Sequence, residues 1–71
     1  MKLEELLRSF IGKNVRLVFE TSQDSFAIAG KLLEVTEDYI KVYGLTTIYV
    51  NRKASVLTYF EVYGEEKEVN S

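Results

Sequence analysis

The run FAIAGKLLEVTEDYIKVY, residues 26–43, sets the terms for the rest of the chain. It reads as a long strand bent at Gly30, a tight turn and a second strand. Phe26, Ile28 and Leu32 fall on one face of the first strand, and Ala27, Ala29, Leu33 and Val35 on the other. A hairpin lying on a surface would carry one polar face. This one is expected to need cover on both sides, with the remaining elements wrapped around it. Gly30 interrupts the apolar run where a bulge, a sharp bend or a close backbone approach is expected. A small barrel needs such a bend, because a short sheet must curl to close on itself.

On the N-terminal side, Leu3, Leu6, Leu7, Phe10 and Ile11 recur at the spacing of one helical face, predicting a helix over about 2–11. Glu4 and Glu5 suit its first turn and Gly12 its C-terminal cap. The stripe has too few cationic neighbours for a membrane anchor and reads as a helix capping the core. Alternation predicts strands at about 14–20, 26–35, 39–43, 46–50 and 55–63, separated by short polar turns. The expected fold is mainly β: an N-terminal α-helix followed by a five-stranded, strongly bent antiparallel β-barrel. Residues 1–63 form the one expected domain. Residues 64–71 form an acidic tail expected to be flexible.

A chain of 71 residues buries only about 60% of its unfolded surface and needs help to be stable. It has no Cys for a disulfide or thiolate site, and no His as ligand or base. That leaves oligomerisation. Proline is absent too, so no strand edge is protected by that device, and the last two strands are apolar with few charges. Five Tyr and four Phe are many for this length, and some of those rings are expected to face a partner. The net charge is −2, and part of it is local: without the tail's three Glu and one Lys, eight acidic and eight basic side chains remain. No polybasic stripe exists, which counts against strong non-specific nucleic-acid binding but leaves a focused patch open. No apolar run approaches a membrane span and the N-terminus has no signal-peptide pattern, so the expected location is the cytoplasm, with no membrane partner. Catalysis is not expected: there is no Gly-rich phosphate loop, the Ser residues have no candidate base, and Glu37 and Asp38 are neighbours in a turn that point apart. No cofactor, metal or small-molecule substrate is expected.

The helix phrase LEELLRSFIGKNV followed by five strands resembles the Sm-like (LSm) family, including its bacterial host-factor (Hfq) branch, over residues 3–60. Leu7, Ile11-Gly12-Lys13 and Val15 carry the helix-end motif, and Gly30-Lys31-Leu32 the strand-two motif. The aromatic that usually follows falls on Val35, the family's loop Asp on Thr36, and the base-stacking aromatic of the host-factor branch on Asp38. Asn51-Arg52-Lys53 occupies the loop of the second motif. The resemblance implies a homo-hexameric or homo-heptameric ring in which strand four of one subunit pairs with strand five of the next. Ile48, Tyr49, Val50, Leu57 and Tyr59 would form that interface. It also implies binding of single-stranded RNA, as a chaperone or scaffold.

The residues expected to carry RNA binding are Asn51, Arg52 and Lys53 in the last inter-strand loop, Tyr39 as a stacking surface, and Lys31 and Lys41 flanking the central hairpin. The competing reading is a ring-forming structural or protein-interaction module in which the same loop is a solubilising turn and the tyrosines are packing.

Overall fold

The computed structural model describes residues 3–64. The expected helix residue Lys2 and the acidic tail beyond Gly64 lie outside them. The elements are α1 (Leu3–Arg8), β1 (Asn14–Glu20), β2 (Ser25–Val35), β3 (Tyr39–Tyr43), β4 (Thr47–Asn51) and β5 (Val56–Val62). All pairings are antiparallel, in the order β4-β3-β2-β1-β5. The fold is thus mainly β, with five antiparallel strands and one short N-terminal helix. No ladder joins β4 to β5, so the sheet is not closed into a barrel. Among the described residues no helix is long and apolar enough to cross a membrane.

α1 is shorter than its apolar stripe. Beyond Arg8 the chain tightens into i→i−3 bonds, with the N–H of Phe10 donating to the Leu7 carbonyl at 3.0 Å and that of Ile11 to Arg8 at 3.2 Å. Gly12, at φ +96°, ends the run as the expected cap. Its N–H donates to the Leu32 carbonyl at 2.8 Å, while the Leu32 N–H donates to Lys13 at 3.0 Å. The connector is therefore stitched to the middle of β2. Leu7 is fully buried, whereas Leu3 and Ile11 at the stripe's ends are more than two-fifths exposed.

β2 changes partner along its length. Residues 25–31 pair with β1 and residues 31–35 with β3, so Lys31 is paired on both sides. Gly30 sits at this handover with φ +155°, and its backbone lies directly against the Tyr43 carbonyl. A Cβ there would overlap that carbonyl and stand 3.0 Å from the Gly44 Cα. Of the roles expected for Gly30, the close backbone approach is the one the structure displays most directly.

The two-faced reading of β2 is corrected. Leu32 and Val35 are buried together with Ile28 half-buried, while Ala27, Ala29 and Leu33 are exposed. The register shifts between Leu32 and Glu34, and this bulge at Leu33 puts Val35 on the same side as Leu32 rather than opposite it. β5 carries a second shift, opposite Val18 and Phe19, that leaves Thr58 as the extra residue. Leu57 thereby joins Phe60 and Val62 against the core and Val56 turns outward. The Thr58 hydroxyl donates to the Val18 carbonyl at 3.3 Å, across the bulge. The strands also start or stop one residue away from expectation at Ser25, Thr47, Asn51, Val56 and Val62. The most consequential shift is Asn51, which belongs to β4 and not to the loop.

The core consists of Leu7, Val15, Leu17, Phe19, Leu32, Val35, Ile40, Val42 and Val50. In β1, β3 and β4 it follows strict alternation. Phe26 is stacked on Phe19 at 5.4 Å, which covers one side of an otherwise exposed ring.

Gly30→Ala should destabilise the protein by roughly 2–4 kcal/mol, since the colliding atoms are backbone and φ is unfavourable for a side chain. Gly12→Ala, where a Cβ meets nothing within 4 Å, should lose only about 1 kcal/mol through its φ. Urea unfolding of both variants checks this, and equal losses would remove the close approach as the cause.

Candidate nucleic-acid interface

Inward placement of Ile40, Val42 and Val50 puts Tyr39, Lys41, Tyr43, Tyr49 and Asn51 on the opposite face of the β3–β4 hairpin. In register, Tyr39 pairs with Asn51 and Lys41 with Tyr49. The Tyr39 and Tyr49 rings meet on the diagonal, edge to face, with centroids 5.4 Å apart. Lys41 Nζ lies over the Tyr49 ring at 5.4 Å, a cation–π contact. The Tyr39 hydroxyl donates to Glu34 Oε1 at 3.0 Å. That bond to a carboxylate raises the phenol's pKa and holds it protonated as a donor.

Two turns complete the site. In the β2–β3 turn, Thr36 Oγ1 accepts from the N–H groups of Asp38 at 3.1 Å and Tyr39 at 3.0 Å, a hydroxyl-closed turn. Thr21 closes the β1–β2 turn through the same offsets. In the β4–β5 turn, Asn51 Oδ1 accepts the Lys53 N–H at 2.8 Å, and the Ser55 hydroxyl donates to the Asn51 carbonyl at 2.6 Å. The Arg52 N–H donates to the Asp38 carbonyl at 2.8 Å and locks the two turns side by side. Asp38, Tyr39, Tyr49, Asn51 and Lys53 then line an open cleft of about 340 Å³. Lys53 Nζ stands 3.5 Å from Asp38 Oδ1 across its mouth, and both side chains are about three-quarters exposed.

Three residues expected at an RNA surface, Tyr39, Asn51 and Lys53, are brought together here, with Lys41 over the Tyr49 ring. Lys31 is not part of the cleft: it pairs with Tyr43, nearer the far end of the hairpin. Arg52 is engaged within the fold. Its guanidinium donates to the Thr36 carbonyl at 2.7 Å and lies 3.5 Å from Glu4 Oε1, with its side chain 23% exposed. Glu4 is bonded in turn to Arg8, and Arg8 Nε donates to the Val35 carbonyl at 3.1 Å. Arg52 thus ties both turns to α1. Sequence reading missed this because nothing local marks an arginine whose acceptors lie far along the chain. Tyr49, expected at a subunit interface, lines the cleft in the single chain, where cross-strand register sets it opposite Lys41.

Of the other residues expected at the interface, Val50 is in the core, and Ile48 and Leu57 are half-buried against it. Tyr59 is half-exposed, its hydroxyl donating to Glu61 at 2.6 Å, which raises its pKa as for Tyr39. It borders a smaller groove of about 210 Å³ with Leu3, Leu57, Thr58 and Phe60, along the open edge of β5.

Arg52→Ala should destabilise by about 1–3 kcal/mol, because it removes a charge-assisted bond to a sheltered carbonyl. Lys53→Ala, at an exposed ion pair, should change stability by no more than about 0.5 kcal/mol. Denaturant unfolding separates the two, and a Lys53 effect as large as that of Arg52 would contradict this division of roles.

With this geometry in hand, comparison of the chain with protein-family models, curated proteins and solved structures finds no match to any of them.

Proposed function

We propose that this chain is a Sm-like ring-forming protein that binds single-stranded RNA, in a binding rather than a catalytic role. The observation that carries the reading is the convergence of two tyrosine rings, an amide and a lysine in one cleft. Rings offer stacking surfaces to any base, worth about 1–3 kcal/mol each. Asn51 adds hydrogen bonding, and Lys53 and Lys41 add positive charge near the strand.

The open edges support the assembly. β4 and β5 end the sheet on either side, neither carries proline, and Val56 is 65% exposed. Pairing β4 with a neighbour's β5 in a ring of six or seven subunits would satisfy both edges by one repeated contact. The handover in β2 and the two bulges are devices that bend a short sheet, and they support a strongly bent barrel as the subunit's form. In the ring the cleft recurs once per subunit, so a single strand can present successive bases to successive clefts.

A second reading, a protein-interaction or structural ring, is favoured by one observation. Asp38 offsets Lys53, and Arg52 is engaged inside the fold, so little net positive charge faces outward at this loop.

Fluorescence anisotropy with short U-rich and A-rich oligonucleotides at two salt concentrations, alongside light scattering, tests the proposal. A ring using one cation per subunit should lose affinity with a log–log salt slope of roughly −4 to −5. Tyr39→Ala should weaken binding about tenfold or more without altering the oligomer. A monomer at micromolar concentration ends the ring proposal, and a ring that binds neither oligonucleotide at low salt leaves the protein-interaction reading.

A further inference from the structure

A carboxylate at the mouth of an RNA cleft is a liability if the cleft holds phosphate, because the two anions repel. It becomes an asset if the cleft holds the edge of a base. Asp38 is fixed for that role: its N–H is bonded to Thr36 Oγ1 and its carbonyl to the Arg52 N–H, so the residue is held from both sides. Its side chain nevertheless stays 71% exposed and points at the lysine across the mouth. Asn51 is oriented too, since its Oδ1 is used by the Lys53 N–H and its NH2 end remains as a donor.

Lys53 beside Asp38 presents one donor followed by two acceptors. The complementary sequence on a nucleobase is one acceptor followed by two donors. Guanine carries that sequence on its Watson–Crick edge, as O6, N1–H and N2–H2. No other RNA base offers a carboxylate two adjacent N–H donors. Uracil has a single N–H between two carbonyls, so one of its oxygens would face a carboxylate oxygen. Adenine and cytosine each offer one amino group next to an acceptor. The Tyr39 and Tyr49 rings supply the apolar walls for the flat ring system, and a cleft of about 340 Å³ is within the usual range of ligand sites, ~300–1,000 Å³.

We propose that the cleft formed by Asp38, Tyr39, Tyr49, Asn51 and Lys53 selects guanine, with Asp38 accepting from N1–H and N2–H2 and Lys53 donating to O6. The proposal rests on the cleft being where a base of single-stranded RNA is held. Because guanine also occurs in free nucleotides, the test has two arms.

The full chain is titrated against uridine hexanucleotides carrying one central G, A, C or inosine, and separately against GMP, AMP and UMP. Inosine keeps O6 and N1–H but lacks the N2 amino group. The G hexamer should bind about tenfold tighter than the others, inosine included, in line with the discrimination of a bidentate contact. Asp38→Asn, at an exposed position, should fold normally and bring the G hexamer to the level of the rest. Lys53→Ala should weaken G without making inosine worse relative to G. GMP binding with no hexamer binding would keep guanine as the ligand while removing RNA as its source. Equal affinity for all four hexamers would overturn the guanine assignment and leave RNA binding standing. Absence of binding in both arms would overturn the two together.

Discussion

At Gly30 the backbone of β2 lies against the Tyr43 carbonyl with no side chain between them, and the rest of the sheet is arranged around that contact. Gly44 meets it from the other side, since a Cβ there would stand 2.8 Å from the Ala29 carbonyl. Only two residues without side chains let β2 leave β1 and take up β3 within one residue, Lys31. Leu32 immediately follows, fully buried, with its N–H and carbonyl tied to the end of the helix segment. Helix, first hairpin and second hairpin therefore meet within three consecutive residues of one strand.

Alternation was readable wherever pairing is regular. Val15, Leu17 and Phe19, then Ile40 and Val42, are buried as their period predicts. It failed at Leu33 and Thr58, where one inserted residue reverses the parity of everything after it. A bulge leaves no mark in a string of apolar letters, because Leu, Val and Thr suit a strand in either phase. The cleft was half legible. Tyr39, Asn51 and Lys53 stood out as residue types, but Tyr49 entered it through register and Asp38 through the coupling of two turns. The contacts of Arg52 were not legible because a guanidinium in a polar loop has the same local sequence whether it faces solvent or reaches back to Thr36 and Glu4.

The two adjacent cations of the last turn illustrate how position divides one chemistry into two uses. Arg52 can form several bonds at once in a fixed plane, and it takes the sheltered place where a carbonyl and a carboxylate converge. Lys53 carries a compact charge on a flexible stem and stands at the rim. The first supplies rigidity to the walls, and the second leaves the opening adjustable.

That division has a consequence for how such a protein can change. The residues that hold the two turns at the cleft, Thr36 and Arg52, are bound up with the stability of the domain. The side chains of Asp38 and Lys53, at the mouth of the cleft, are about three-quarters exposed and pair with each other. Substitutions at the rim can therefore alter the charge of the opening with almost no effect on folding, whereas the frame tolerates few replacements. Descendants of this sequence would be expected to vary the charge of the opening first at these two positions, without passing through unfolded intermediates.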